Sequence, residues 1–301
     1  MLERSDCTLE WFGVTTFRLR LGKLTVMLDG YIERIGRASG SGQSVKDVAE
    51  ADWILVGQGD FDHIGNVLSL ASRTGATVVA NHHVLHQLRG AGLPDAQGLP
   101  ISGGEPIPLN PDVKAVPIPA LHSHVWAPHS ADPDKVLTGD LDINVFERRR
   151  RDADVFKSLE DAALCGPEIA RHVAGLKPHD FDHGGTFAFR ISTPVGSIIF
   201  KNSSGHWSGL LPSMRADVAI LAISQRANVD GEPFQGAWPS FMADEVKAIE
   251  PKTVVMCHHD DWLPPFTPAK SVEPLRLELE RRGLSVRVID PSRGQRFPLF
   301  A

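Results

Sequence analysis

The sequence predicts an α/β protein arranged as a four-layer αβ/βα sandwich, two mixed β-sheets face to face with helices outside. Three observations carry that prediction. Strand-like apolar runs cluster at the start of each half of the chain. Beyond each cluster the runs alternate with helical segments, an order that two packed, helix-covered sheets accommodate. Several runs end abruptly in turns bearing His and Asp, where open α/β sheets present their ligand crevice.

Taken in order, Thr8–Phe12, Thr16–Leu21 and Lys23–Leu28 read as strands separated by Gly-containing turns, a meander signature, and Asp29 closes the last of them. Trp53-Ile54-Leu55-Val56 is a short buried-strand run that stops at Gly57-Gln58-Gly59-Asp60-Phe61-Asp62-His63-Ile64-Gly65. A helix starts over Val67–Ser72, Thr77–Ala80 is a short strand, and His82–Arg89 is a second helix. Val113–Pro119 is a strand ending at Ala120-Leu121-His122-Ser123-His124.

The second series opens with the hairpin strands Thr186–Ser192 and Ser197–Lys201 around Pro194-Val195-Gly196. Strand Val218–Ala222, helix Ser240–Ile249, strand Thr253–Cys257, helix Ser271–Arg281 and strand Ser285–Ile289 follow. Residues 125–182 fit neither series and contain a helix predicted over Asp154–Leu164. A stretch of that length between core elements serves as a lid or substrate-binding insert, or else is mobile. Residues 1–301 are otherwise read as one domain.

The composition, 42% hydrophobic and 23% charged over 301 residues, is that of a globular protein with ample core material. A net charge of −6 argues against a general nucleic-acid or anionic-membrane binder. The three cysteines, Cys7, Cys165 and Cys257, are too few and scattered for a disulfide framework or a Cys-based zinc site. The first residues lack a basic segment followed by an apolar one, and no apolar run reaches the ~20 residues that span a bilayer. A cytoplasmic location and no membrane partner are therefore expected, with a homo-oligomer left open.

Asp60, Asp62 and His63 can each ligate a divalent cation. His122, and His258 with His259 and Asp260, also lie just past apolar strands, so these side chains can converge although distant in sequence. Convergent His and carboxylate ligands are what metal-assisted hydrolysis needs, because the cation acidifies water and polarises the scissile carbonyl or phosphoryl oxygen.

With these residues in view, the chain resembles the metallo-β-lactamase superfamily, and within it the branch containing the ascorbate-6-phosphate lactonase and other metal-dependent hydrolases. The resemblance rests on Leu9-Glu10-Trp11-Phe12-Gly13-Val14-Thr15-Thr16-Phe17 with Val26-Met27-Leu28-Asp29, and on Pro119-Ala120-Leu121-His122-Ser123. His183-Gly184-Gly185-Thr186-Phe187-Ala188-Phe189 and Val254-Val255-Met256-Cys257-His258 continue it. It spans nearly the whole chain except residues 125–182. The family motif H-x-H-x-D-H reads Gln58-Gly59-Asp60-Phe61-Asp62-His63 here, so its first two histidines are replaced. The family register places Ser204 at the position of the bridging aspartate, with His206 two residues further on as a substitute.

The resemblance implies a mononuclear site, one divalent ion (zinc, manganese or iron) or none, in place of a binuclear zinc centre. Asp62, His63 and His258 would hold it, with Asp60 and His122 as additional ligands. Oxygen from Asp60 favours iron or manganese over zinc. The implied reaction is hydrolysis of a small ester, lactone or related carbonyl compound by a metal-activated water, with Asp60 as the candidate general base if it is not a ligand. The competing reading is a metal-poor or metal-free descendant, in which the same Asp and His residues form ion pairs around a binding pocket or catalyse a lyase or isomerase step. A phosphodiesterase or nuclease is disfavoured by the acidic balance and the altered motif.

Other residues carry weaker signals. Asp180-Phe181-Asp182-His183-Gly184 nearly repeats the first loop but precedes a strand, so it is read as a Gly184-Gly185 turn with His183 facing the crevice. His82, His83 and His86 mark a helix start. Arg148–Arg151 is read as one solvated helix face. Trp126, Trp207 and Trp262 follow candidate site residues and suggest an aromatic wall. Asp260 and Asp261 either orient an imidazole or begin a loop, and Cys257 is a buried strand residue.

Overall fold

The computed structural model describes residues 2–40, 42–176 and 183–300. Strands β1 (Cys7–Gly13), β2 (Thr16–Leu21) and β3 (Leu24–Leu28) form an antiparallel meander. Strands β4 (Trp53–Leu55), β5 (Thr77–Asn81) and β6 (Gly98–Ile101) then extend the sheet in parallel, with α1 (Phe61–Ile64), α2 (Val67–Thr74) and α3 (His82–Gly90) in the crossovers. The helix ends follow local chemistry. Gly75 closes α2 in the left-handed region, and the Asn81 side chain caps α3 by accepting from Val84 N at 2.8 Å.

The second sheet begins with β7 (Ile107–Pro108) and β8 (Lys114–Ala120). After α4 (Val145–Ser158), α5 (Ala162–Cys165) and α6 (Pro167–Gly175) come the hairpin strands β9 (Thr186–Thr193) and β10 (Gly196–Lys201). The chain continues through β11 (Gly205–His206), β12 (Val218–Ala222), β13 (Asn228–Val229), β14 (Glu232–Pro233), α7 (Trp238–Ile249), β15 (Thr253–Cys257), α8 (Glu273–Arg281), β16 (Arg287–Ile289) and β17 (Arg296–Pro298). The sheet orders are β17-β1-β2-β3-β4-β5-β6 and β16-β15-β12-β10-β9-β8-β7, with a small sheet β11-β13-β14.

Three apolar layers hold these elements. Leu9, Phe17, Leu19 and Leu28 of the first sheet meet Phe189, Ile198, Phe200 and Val255 of the second between the sheets. Val67, Leu70, Val84 and Leu88 of α2 and α3 cover the first sheet's outer face. Phe241, Val246, Leu275 and Leu279 of α7 and α8 cover the second. Because β12 and β15 are buried along their whole length, their sequences are continuous apolar runs rather than alternating ones. The predicted four-layer sandwich of mixed sheets is thus observed.

Two differences from the sequence reading have physical causes. The helix expected over Asp154–Leu164 starts at Val145, where Asn144 caps it, and ends at Ser158. Pairs of Glu147 with Arg150 and Arg151, and of Arg150 with Asp154, support its polar first turns, which carry almost no apolar periodicity. Asp161 then caps the separate α5. The strands missed are two to four residues long, too short to show a pattern. Among them β17 closes the first sheet by pairing Thr8 with Pro298 and Glu10 with Arg296.

Candidate metal centre

Loops at the same edge of the two sheets deliver the candidate residues. The turn after β4 places Asp60 just before α1, with Asp62 and His63 in α1, while His122 follows β8, Asn202 follows β10 and His258 follows β15. Gly57 is required here by close approach, because a Cβ would lie 2.2 Å from Asn202 Nδ2. Val14, Asp29 and His258 adopt φ of 47°, 52° and 60°, a left-handed conformation costly for residues other than Gly. The surrounding structure holds them there. His258 N donates to Val14 O at 2.7 Å, and Val14 N donates to the Asp260 carboxylate at 3.2 Å.

Asp62 sits between two imidazoles. Its Oδ2 is 3.2 Å from His258 Nε2 and its Oδ1 is 3.7 Å from His63 Nε2. One ligand atom from each of Asp62, His63 and His258 lies within 4.8 Å of the others, and all three residues are buried. Ligands ~2.1 Å from a tetrahedral ion are ~3.4 Å apart, so this spacing suits one divalent cation. Among the described residues no other three such ligands are this close.

The donor set is oriented from behind. His63 Nδ1 donates to Asp29 Oδ2 at 2.7 Å, which turns Nε2 toward Asp62. Asp29, fully buried, also accepts from Thr15 Oγ1 at 2.7 Å, Asn202 Nδ2 at 2.8 Å and Gly57 N at 2.9 Å. A carboxylate on the far nitrogen of a histidine is the usual support for a metal ligand. Gln58, standing where the family motif has histidine, brings its Nε2 to 2.6 Å from His63 Nε2. Burial alone would lower the His63 pKa, yet Asp62 and Asp29 outweigh it and raise it to about 9. Burial opposes ionisation of Asp62, but His63 and His258 hold its carboxyl below the ordinary range. His258 is the reverse case, its pKa lowered by burial despite the hydrogen bond to Asp62.

Asp60 and His122 stand beside this cluster and pair with each other, His122 Nε2 to Asp60 Oδ2 at 3.0 Å. Against burial, His122 and the neighbouring His183 and His63 pull the Asp60 pKa down to about 2. His183 stacks on His122 with ring centres 5.1 Å apart. Two openings reach the site. The narrower, about 180 Å³, is lined by the polar Asp60, Asp62, His122 and His258 and the apolar Phe61, Trp262, Leu263 and Phe266. The wider, about 610 Å³, is lined by His122, His183, Arg149 and Asp152.

Several singled-out residues lie elsewhere. Ser204 Oγ donates to Ala222 O at 3.1 Å. His206 pairs with Glu245 at 2.8 Å and stacks on Phe241, so it does not supply the missing bridge. Asp260 is held by Arg34 and Arg293, each at 2.9 Å, and His259 stacks on Trp11 and pairs with Asp290, which makes both structural. Of the three tryptophans, Trp262 lines the narrower opening, Trp126 lies under Arg151, and Trp207 is exposed. Burial pushes the Cys257 thiol up, so it stays protonated and inert. Gly184 and Gly185 do turn the chain, with φ of 69° and 95°. Asp180, Phe181 and Asp182 lie outside the described residues. The sequence reading missed Thr15, Asn202 and Asp152. It noted Asp29 without a role, although a lone carboxylate ending an apolar strand was the available signal.

Known structures set the class. The metallo-β-lactamase fold protein YhfI from Bacillus subtilis matches with a TM-score of 0.58 at 11% identity, over 97% of this chain and 98% of its own. Igni18, a metallo hydrolase from the archaeon Ignicoccus hospitalis, matches with a TM-score of 0.62 at 18% identity, over 97% and 98%. The chain has the metallo-β-lactamase fold. In sequence, it is 32% identical over 115 residues to a UPF0173 metal-dependent hydrolase of Pyrobaculum islandicum. That match covers 38% of this chain and 50% of the relative, so the chain spans half the relative's length. No family model matches the chain. No helix among the described residues is long and apolar enough to cross a membrane.

Proposed function

We propose that this protein is a metal-dependent hydrolase of a small ester, lactone or related carbonyl compound, using one divalent cation held by Asp62, His63 and His258. The observation that carries this reading is the buried, cation-sized spacing of those three side chains, with Asp29 fixing the His63 ring. The hydrolase naming of the sequence relative agrees with it. Bound there, zinc, manganese or iron supplies Lewis acidity for the scissile carbonyl and for water. The chain's own residues then divide the remaining work. Asp62 and Asp29 hold His63 in one orientation, and His122, anchored on Asp60, faces both openings. The apolar wall of Phe61, Trp262 and Leu263 receives the acyl part and excludes bulk water. A volume of about 180 Å³ suits a small acyl group rather than a polymer.

The full-length chain, chelated and then loaded separately with zinc, manganese or iron, is assayed on p-nitrophenyl butyrate and γ-butyrolactone. Metal-dependent turnover that is lost together with bound metal in Asp62→Ala and His63→Ala supports the reading. No turnover with any metal overturns it. Gln58 against His63 Nε2 and the Asp60–His122 pair favour the second reading, a metal-free descendant that binds a ligand or catalyses a lyase or isomerase step. Absence of metal after metal-replete expression selects that alternative.

A further inference from the structure

Helix α4 roofs the site: its Val155 and Phe156, with Leu159 just past its end, line the narrower opening, and its Asp152, Arg149 and Phe156 the wider one. On this helix Glu147 pairs with Arg150 and Arg151, and Arg148 pairs with Glu232. Among the described residues Asp152, directly after the four-arginine block, forms no ion pair, and its buried Oδ1 has no hydrogen-bond partner. Buried acceptors are nearly always satisfied, so an orphaned oxygen in a cleft calls for an explanation. The other two carboxylates at the site are engaged, Asp60 by His122 and Asp62 by two imidazoles.

We infer that Asp152 is the general base of the reaction, supplied by the inserted helix rather than by the sandwich, in place of Asp60. The inference rests on the hydrolase reading above. Water gives a proton to Asp152 Oδ1 as its oxygen bonds to the carbonyl carbon. The bond from that carbon to the leaving oxygen then breaks, and the leaving oxygen takes the proton from the Asp152 carboxyl, restoring the carboxylate. One water is consumed and no electrons leave the system.

The electrostatics agree with the geometry. Burial, with Asp60 adding and His122 opposing, raises the Asp152 pKa to about 6, whereas Asp60 is pulled down to about 2. A base is most effective when its pKa lies near the working pH, and paired carboxyls pushed apart mark the division of roles. The groups facing Asp152 are Asp60 from the turn after β4, His122 from the loop after β8, and the Trp126 backbone. His83, His183 and Arg149 line the same opening.

The test uses the metal-loaded full chain with p-nitrophenyl butyrate and γ-butyrolactone as probes. Asp152→Asn is expected to lower kcat roughly 10²–10⁴-fold, the usual contribution of a general base. Bound metal and KM should stay close to wild type. The limb of the rate profile that rises with pH should disappear, and formate should restore part of the activity of Asp152→Ala. Turnover close to wild type in both variants overturns the inference. So does a loss that formate does not rescue and that leaves the rising limb in place. A wild-type protein inactive on both probes overturns the hydrolase reading and this inference with it, whereas an active one with unaffected variants overturns only the base.

Discussion

Asp29→Asn keeps the shape of the side chain while removing its charge and turning one acceptor into a donor. In the native arrangement Oδ2 takes His63 Nδ1 at 2.7 Å, Thr15 Oγ1 at 2.7 Å and Asn202 Nδ2 at 2.8 Å, while Oδ1 takes Gly57 N at 2.9 Å. With the amide oxygen kept on Gly57, its NH₂ faces three donors; turned over, the NH₂ opposes the Gly57 N–H. Thr15 and Asn202 can rotate. His63 can adapt only by giving up its Nδ1 proton and keeping the one on Nε2, the atom directed at Asp62. Losing a hydrogen bond to a charged group costs ~1.5–3 kcal/mol and a stranded buried donor ~1–3 more, so the fold should lose about 3–6 kcal/mol. Metal affinity should fall roughly 10–100-fold, as for other partners behind a ligating histidine. Urea unfolding of the chelated protein reads the first number and zinc titration reads the second. A loss below about 1 kcal/mol with unchanged zinc affinity refutes the reasoning.

His63 makes stability depend on pH. Its pKa rises from 6.5 to about 9 because Asp62 and Asp29 overcome burial, so its contribution is complete below 6.5 and lost as pH rises through about 9. Urea midpoints of the chelated protein should fall across that window, and a flat profile contradicts the pairing. By the same linkage, zinc binding at neutral pH should release about one proton, read from calorimetry in buffers of different ionisation enthalpy; no release contradicts it. Glu245→Gln leaves buried Lys201 and His206 without their counter-charge, and urea unfolding should show a loss of about 3–5 kcal/mol. Phe156→Ala should raise KM for p-nitrophenyl butyrate about tenfold at little-changed kcat, the scale for removing an apolar pocket contact; a reduced kcat with unchanged KM contradicts a binding role.

The sandwich was legible because its central strands are continuous apolar runs and its helices follow them with clear caps. Trp53–Leu55 ending at Asp60-Phe61-Asp62-His63, and Thr253–Cys257 ending at His258, announced the site through composition alone. The orientation of those side chains was not legible, since it depends on Thr15, Asp29, Gly57 and Asn202 from four separate loops. The family register pointed to Ser204 at the bridging position. The structure instead turns Ser204 into the second sheet and Asn202 toward Asp29. Asp152 was hidden in a polar helix whose arginine block reads as a solvated face. Its place beside His122 in the wider opening, together with its unpartnered buried Oδ1, distinguishes it from its neighbours.

Anomalous diffraction from crystals of the metal-replete protein tests the central claim most directly. One peak bonded to Asp62, His63 Nε2 and His258 Nε2 is the predicted result. No peak there, or a second cation seated between Asp60 and His122, contradicts it.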